Sequence, residues 1–197
     1  MTEDQKSDSE LEWIALIKKG DDHAFEKLFH EYYFPLTRFA CRYTESIAIA
    51  EELVQDLFLE IWEQRETWTP FGKLRPCLYR IIKQKSLNHL KHQKVKRRYD
   101  SQWMNDWTNP TYISEDSDSE EQLKSLVESL NKLVEQLPHR SKMIYKLHKN
   151  DGLTYSEIAE VMEISKKTVE SQMSRALKFL REKLVNVMLL FIVSLLF

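Results

Sequence analysis

A chain of 197 residues with 29 Lys and Arg against 31 Asp and Glu has a formal net charge of −2, without the basic excess expected of a nucleic-acid binder, and is long enough for one or two domains. Its three glycines, Gly20, Gly72 and Gly152, stand too far apart for a phosphate-cradling loop or a dinucleotide fingerprint, and their scarcity disfavours folds built on tight hairpins. Two cysteines, Cys41 and Cys77, exclude a zinc ribbon or a disulfide framework and read as reduced thiols of a cytosolic protein; the acidic start MTEDQKSDSE is no secretory signal.

Five prolines and three glycines leave long uninterrupted stretches, so the expected fold class is all-α. Residues 1–8 read as disordered. From Ser9 the spacing predicts a helix with Leu11, Ile14, Ala15 and Ile17 on its apolar side and Gly20 as its stop. A second helix opens near Asp22 and carries Phe25, Leu28, Phe29, Tyr32, Tyr33 and Leu36, with Pro35 expected to bend it. A third runs from about Ser46 to Gln64 on a stripe of Ile47, Ala50, Leu53/Val54, Leu57/Phe58 and Ile61/Trp62. After the loop ETWTPFGK, a basic helix begins near Leu74 and ends in KVKRR.

Charge is distributed in blocks along these elements. The formal charge is −9 over 1–70, +10 over 71–99, −7 over 100–137 and +4 over 138–184, so near-neutrality is a cancellation. Between Phe71 and Tyr99 there are ten Lys or Arg and no acid, with His89 and His92 besides. A solvated helix face normally mixes signs, because i,i+4 pairs stabilise and like charges repel. The block points to an anionic partner, nucleic acid before an acidic protein.

Residues 100–120 lose periodicity and are rich in acid, Ser and Asn, which reads as an acidic flexible linker between two helical domains, 9–99 and 121–184. Trp103, Trp107 and Tyr112 are unusual in an inert tether. The second domain opens with a helix to about Gln136, and Pro138 starts the next. Asp151-Gly152 is a turn, and Thr154 with Glu157 forms a capping box ahead of a helix of about nine residues. Glu163-Ile164 is the next turn, and Ser165 caps a helix with the buried stripe Val169, Met173, Ala176/Leu177, Leu180 and Leu184.

Short helix, turn and longer helix over Thr154–Leu177 is helix-turn-helix geometry, with Ala159 at the crossing and Ile158, Met162, Ile164 and Val169 as shared core. The second helix exposes Lys166, Lys167, Thr168, Glu170, Ser171, Ser174, Arg175 and Lys178, a face suited to a major groove. Glu163 stands where such turns often have Gly, and a positive φ there is strained for it. The alternative is a helical hairpin that binds no DNA.

Two further motifs, in order, complete a resemblance. Residues 50–62, AEELVQDLFLEIW, are similar to the helix with which sigma-70 family RNA polymerase sigma factors dock on the β′ clamp; residues 78–91, LYRIIKQKSLNHLK, resemble that family's promoter minus-ten helix. Over about residues 10–184 the chain resembles the compact extracytoplasmic-function (ECF) group. The resemblance implies a bacterial transcription-initiation factor with core RNA polymerase (β′ clamp helices and β flap), promoter DNA and an anti-sigma factor as partners. It implies polymerase contacts from Glu51, Glu52, Gln55, Asp56, Leu59 and Glu63. It implies minus-ten contacts from Arg80, Lys83, Gln84, Asn88, Lys91 and Lys94, a face that also includes Leu87. In the loop before this helix, Trp68 or Phe71 would stack on an unstacked promoter base while Lys73 holds phosphate, unless the two aromatics close the core instead. Lys166, Lys167, Thr168, Ser171, Arg175 and Lys178 would read the minus-thirty-five duplex, and the acidic linker would thread the RNA exit path. Cys77, Gln84 and Asn88 depart from the family's commonest residues at their positions, which bears on the exact minus-ten sequence.

No nucleophile–base pair with a local signature appears, so no enzyme, cofactor or small-molecule substrate is expected. His89 and His92 lie i,i+3 on a helix, but no carboxylate or thiol nearby completes a metal set. The C-terminal stretch Leu184–Phe197 has twelve apolar residues out of fourteen and no charge. As a helix it would span about 21 Å against a hydrocarbon core of roughly 30 Å, which disfavours stable transmembrane insertion. The hydrophobic tail 185–197 is expected to pack on the second domain or to join an anti-sigma or self-association interface, in a cytoplasmic protein. The competing functional reading is a conventional helix-turn-helix transcriptional regulator with an N-terminal sensing or dimerisation domain. A third is a helical adaptor that binds no DNA, which leaves the basic helices of both domains unexplained.

Overall fold

A computed structural model of the chain describes the backbone over residues 3–99 and 130–196, and side chains over 9–93 and 130–184. All elements among the described residues are helices, and they fall into two compact units, one centred on the first four helices and one on those that follow. The linker 100–120 with Trp103, Trp107 and Tyr112, and the start of the helix expected from Glu121, lie outside the described residues.

The first unit comprises α1 (Glu3–Ile17), α2 (Asp22–Thr44), α3 (Ile47–Glu63) and α4 (Leu74–Tyr99). α1 begins at Glu3, six residues before the expected start at Ser9, in a stretch that no Gly or Pro interrupts. It stops at Gly20, whose φ of +85° a side chain would resist. Asp21 then caps α2, its Oδ1 accepting from the Ala24 amide at 2.8 Å. α2 passes through Pro35 without ending. Ser46 caps α3 in the same manner, accepting from the Ile49 amide at 3.5 Å.

α2 packs against α1, α3 and α4 and is the hub of the unit. Leu28, Leu36 and Phe39 of α2, Leu57 and Ile61 of α3 and Leu78, Tyr79 and Ile82 of α4 are all buried, and the Phe39 and Tyr79 rings lie 5.0 Å apart. Three residues of the expected apolar stripes lie outside that core: Leu11, Ala15 and Ile47 are exposed. A helix stripe leaves its rotation open by a residue or so, and the position of the neighbouring helix selects Ile14 and Ile17 for burial.

The second unit comprises a helical segment over 130–135, α5 (His139–Lys149), α6 (Tyr155–Met162) and α7 (Lys166–Leu196). Leu133, Val134 and Leu137 pack with Ala176 and Leu180 of α7, flanked by Tyr145, Phe179 and Leu184. Glu135 accepts from Lys146 at 2.5 Å and Lys142 at 3.1 Å, tying the 130–135 segment to α5. Ser141 donates to Gln172 at 2.6 Å and ties α5 to α7. The expected stripe of α7 is corrected at Leu177, which is 41% exposed while its neighbour Ala176 is buried. The backbone of α7 continues as helix into the hydrophobic tail as far as Leu196, since no Gly or Pro ends it. Among the described residues no helix is long and apolar enough to cross a membrane.

Candidate nucleic-acid and polymerase interfaces

On α3 the buried stripe leaves the opposite side to solvent. Glu52, Gln55, Asp56, Leu59 and Glu63 are exposed there, and Glu51 is half-buried at the edge. Leu59, 54% exposed, is an apolar point in an otherwise acidic and amide surface. Such a face on a rigid helix suits a basic partner helix, with Leu59 as the contact that gains from losing water. Gln55 donates to the Tyr33 hydroxyl at 3.4 Å, which joins α2 to this surface. Beside Tyr33 stands Phe34, 72% exposed, with their rings edge to face at 5.4 Å. Sequence spacing did not single out Phe34, because an apolar residue next to a helix stripe reads as part of the core.

The loop between α3 and α4 is anchored at its root. The Trp68 and Thr67 amides donate to the Gln64 carbonyl at 2.8 and 2.9 Å, and Lys18, just after α1, donates to the Thr69 hydroxyl at 2.9 Å. Trp68 is half-buried, whereas Phe71 is 79% exposed and Lys73 is exposed. The two aromatics therefore separate: Trp68 is partly covered, and Phe71 stands in solvent. Gly72 follows at a φ of +79°, a conformation open to glycine, and the chain turns there into α4. Pro76 sits in the first turn of α4, where a missing amide hydrogen costs nothing.

Along α4, Arg80, Gln84, Asn88 and Lys91 are all exposed, at the spacing of one helix face. Gln84 donates to Asn88 at 3.0 Å, so the two amides are held as a pair. The Arg80 guanidinium lies over the Phe71 ring, 5.4 Å from its centroid. Lys83 and Leu87 are half-buried at the margin of the face. Lys94 belongs to the α4 backbone, and its side chain lies outside the described residues. Not all of the positive block faces outward: Lys85 pairs with Glu60 of α3 at 2.6 Å and acts as a strut. His89 shares a 2.8 Å hydrogen bond with Gln93, and among the described residues no set of three or more His, Cys, Asp or Glu is placed to hold a metal.

In the second unit the capping box forms as the spacing predicts. The Thr154 hydroxyl accepts from the Glu157 amide at 3.3 Å, and Glu157 accepts from the Thr154 amide at 2.8 Å. Ser165 caps α7, accepting from the Thr168 amide at 3.1 Å. Glu163 adopts a φ of +55°, so the turn uses a left-handed residue that is not glycine. Ile158 and Val169 are buried, while Met162 and Ile164 are half-buried. Lys166, Lys167, Ser171, Arg175 and Lys178 are exposed on α7 and Thr168 is half-buried beside its cap. Lys178 lies 4.0 Å from Glu182, a solvated i,i+4 pair of little energetic weight that leaves the lysine available.

Comparison with known proteins matches two segments. The model for Sigma-70 region 2 matches residues 28–95, which hold α3, the loop and most of α4. The model for region 4 matches residues 128–180, which hold the helix-turn-helix. The chain is 26% identical over 168 residues to the ECF RNA polymerase sigma-E factor of Escherichia coli, covering 83% of this chain and 87% of that protein. It is 25% identical over 178 residues to the RNA polymerase sigma-H factor of Pseudomonas aeruginosa, covering 87% and 91%. Among solved structures it is similar in fold to CnrH in complex with the cytosolic domain of CnrY, at 20% identity, 90% and 98% coverage and a TM-score of 0.57. It is likewise similar to the sigma factor RpoE in complex with the anti-sigma factor NepR from Bartonella quintana, at 19% identity, 81% and 96% coverage and a TM-score of 0.59. With region 2 and region 4 matched in order on the two units, and full-length relatives of the same kind, the chain belongs to the sigma-70 family of RNA polymerase sigma factors, in its extracytoplasmic-function group.

Proposed function

We propose that this sigma factor meets core RNA polymerase and its promoter through three surfaces. The acidic and amide face of α3, with Glu51, Glu52, Gln55, Asp56, Leu59 and Glu63, docks on the β′ clamp helices. The loop and the outer face of α4, with Phe71, Lys73, Arg80, Lys83, Gln84, Asn88, Lys91 and Lys94, engage the minus-ten strand; Trp68 supports the loop from inside. The exposed face of α7, with Lys166, Lys167, Thr168, Ser171, Arg175 and Lys178, lies in the major groove of the minus-thirty-five element, and the second unit meets the β flap. Promoter recognition and strand opening belong to this chain, and nucleotide addition belongs to the polymerase. The carrying observation is that the region 2 and region 4 matches fall on the two segments whose exposed helix faces are basic. A sensing or dimerisation domain has no use for the ten basic residues between Phe71 and Tyr99, which disfavours the conventional regulator.

The acidic linker is read as a segment that occupies a basic nucleic-acid channel of the polymerase and yields to RNA. Both fold neighbours are seen with a bound partner, one of them an anti-sigma factor, and this supports the same mode of control for a cytoplasmic chain of this group. The hydrophobic tail 185–197 contributes to such an interface or to self-association. Deleting residues 186–197 is expected to change solubility or anti-sigma affinity; unchanged solubility, affinity and transcription would remove the tail from this account.

The surfaces are separable by mutation. Gln55→Ala with Asp56→Ala is expected to abolish capture of core polymerase while the thermal melt stays unchanged. Arg175→Ala with Lys167→Ala is expected to weaken use of the upstream element and leave core capture intact. A double variant at α3 that still captures core fully would remove α3 from the docking role.

A further inference from the structure

The structure assigns Arg80 a role different from a phosphate contact: we propose that it positions Phe71, backing one face of the ring so that the other is presented to an unstacked promoter base. This rests on the reading of the loop as a base-capturing element. Phe71 is 79% exposed, and Gly72 beside it turns at a positive φ in open space, with nothing within 4 Å of where a Cβ would stand. Burial therefore does not fix the ring. What meets it is the Arg80 guanidinium, 5.4 Å from the centroid. Arg80 is carried on α4 immediately after Leu78 and Tyr79, both fully buried, so the core anchors the turn that holds it. The far side of the loop is held by Thr69 on Lys18 and by Trp68 on Gln64.

A guanidinium over a phenyl ring is attracted to the negative face of the π-system, and a base stacking on the opposite face completes a layered arrangement. A guanidinium engaged on a ring is not committed to a phosphate, a contact that Lys73, exposed two residues beyond Phe71, can supply. Gln84 and Asn88, paired to each other, continue the same face of α4 from the Arg80 end. The ring thus stands at the head of a row of hydrogen-bonding groups.

The test uses holoenzyme on a promoter mapped by in vitro transcription, with abasic sites placed one at a time through the non-template minus-ten strand. Phe71→Ala is expected to weaken binding by about tenfold and to erase the penalty of one abasic position. Arg80→Gln is expected to weaken binding by about two- to fivefold, to reduce that same abasic penalty, and to leave the salt dependence unchanged. Adding Arg80→Gln to Phe71→Ala is expected to cost nothing more. Lys73→Gln is the control: it lowers the salt slope by roughly 0.7–0.9 and keeps the abasic penalty. An Arg80→Gln variant that behaves like Lys73→Gln, additive with Phe71→Ala and shallower in salt, contradicts the assignment, as does one indistinguishable from wild type. Arg80→Lys, which keeps the charge on a point ammonium, is expected to restore part of the abasic penalty, and no restoration counts against the assignment. If Phe71→Ala is itself silent, the loop captures no base and the base-capture reading is what failed.

Discussion

Tyr32 of α2 donates its hydroxyl to Glu10 of α1, and both side chains are buried. Burial first, and then the Glu10 charge, push the Tyr32 hydroxyl well above its ordinary range, so it stays a donor at any working pH. Removing that donor takes one hydrogen bond from a buried carboxylate. Tyr32→Phe is expected to cost about 1–3 kcal/mol in a denaturant titration of the full chain. Glu10 could not be told from a surface acid in the sequence, since one charged residue beside an apolar stripe is ordinary and its partner is 22 residues away. The same holds for Phe71 and Arg80, which meet across a loop with no periodicity to announce it. Glu163 was legible as a strained turn residue because the turn length demands a left-handed position whatever residue occupies it. Glu163→Val, β-branched at that φ, is expected to cost about 1–3 kcal/mol more than a residue that tolerates the conformation.

At the scale of elements, caps were the most legible features. Thr154, Glu157 and Ser165 are placed by spacing alone, and each makes the hydrogen bond its motif requires. Thr154→Ala is expected to destabilise the helix-turn-helix by about 1 kcal/mol, read as a shift in its melting transition. Rotation of a helix about its axis was less legible. Leu11, Ile47 and Leu177 lie at the edges of apolar stripes, and which edge is covered depends on the neighbouring helix. The clamp of Glu135 by Lys146 and Lys142 joins two segments whose angle no local signal encodes. Burial raises the Glu135 carboxyl, but hydrogen bonds from Lys146 and Lys142 and their charges outweigh it and hold it below its ordinary value. A carboxylate whose folded value is depressed adds stability above its unfolded value and loses it as pH falls through the folded one. The second unit is therefore expected to weaken on the acid side, and Glu135→Gln to flatten that limb slightly, because the group is 44% exposed and solvent screens it. Unfolding midpoints between pH 3 and 7 would check this.

Over the whole molecule, the net charge of −2 conceals a basic α4 and a basic α7 offset by acid elsewhere, including the exposed face of α3. Order along the chain carried the family assignment, since each motif alone is shared by many helical proteins. Side-chain geometry adds a division of labour that charge counting could not supply. Lys85 pairs with Glu60 across α4 and α3 and the Arg80 guanidinium lies over the Phe71 ring, whereas Gln84, Asn88 and Lys91 are exposed, and these last are the groups proposed to meet the promoter strand. The most direct measurement is in vitro transcription with purified core polymerase on genomic fragments, with and without this protein. Start-site-specific RNA is expected only when the protein is present, and is expected to be lost in the Gln55→Ala, Asp56→Ala variant. Absence of specific RNA on every fragment, together with no binding to β′, would contradict that expectation.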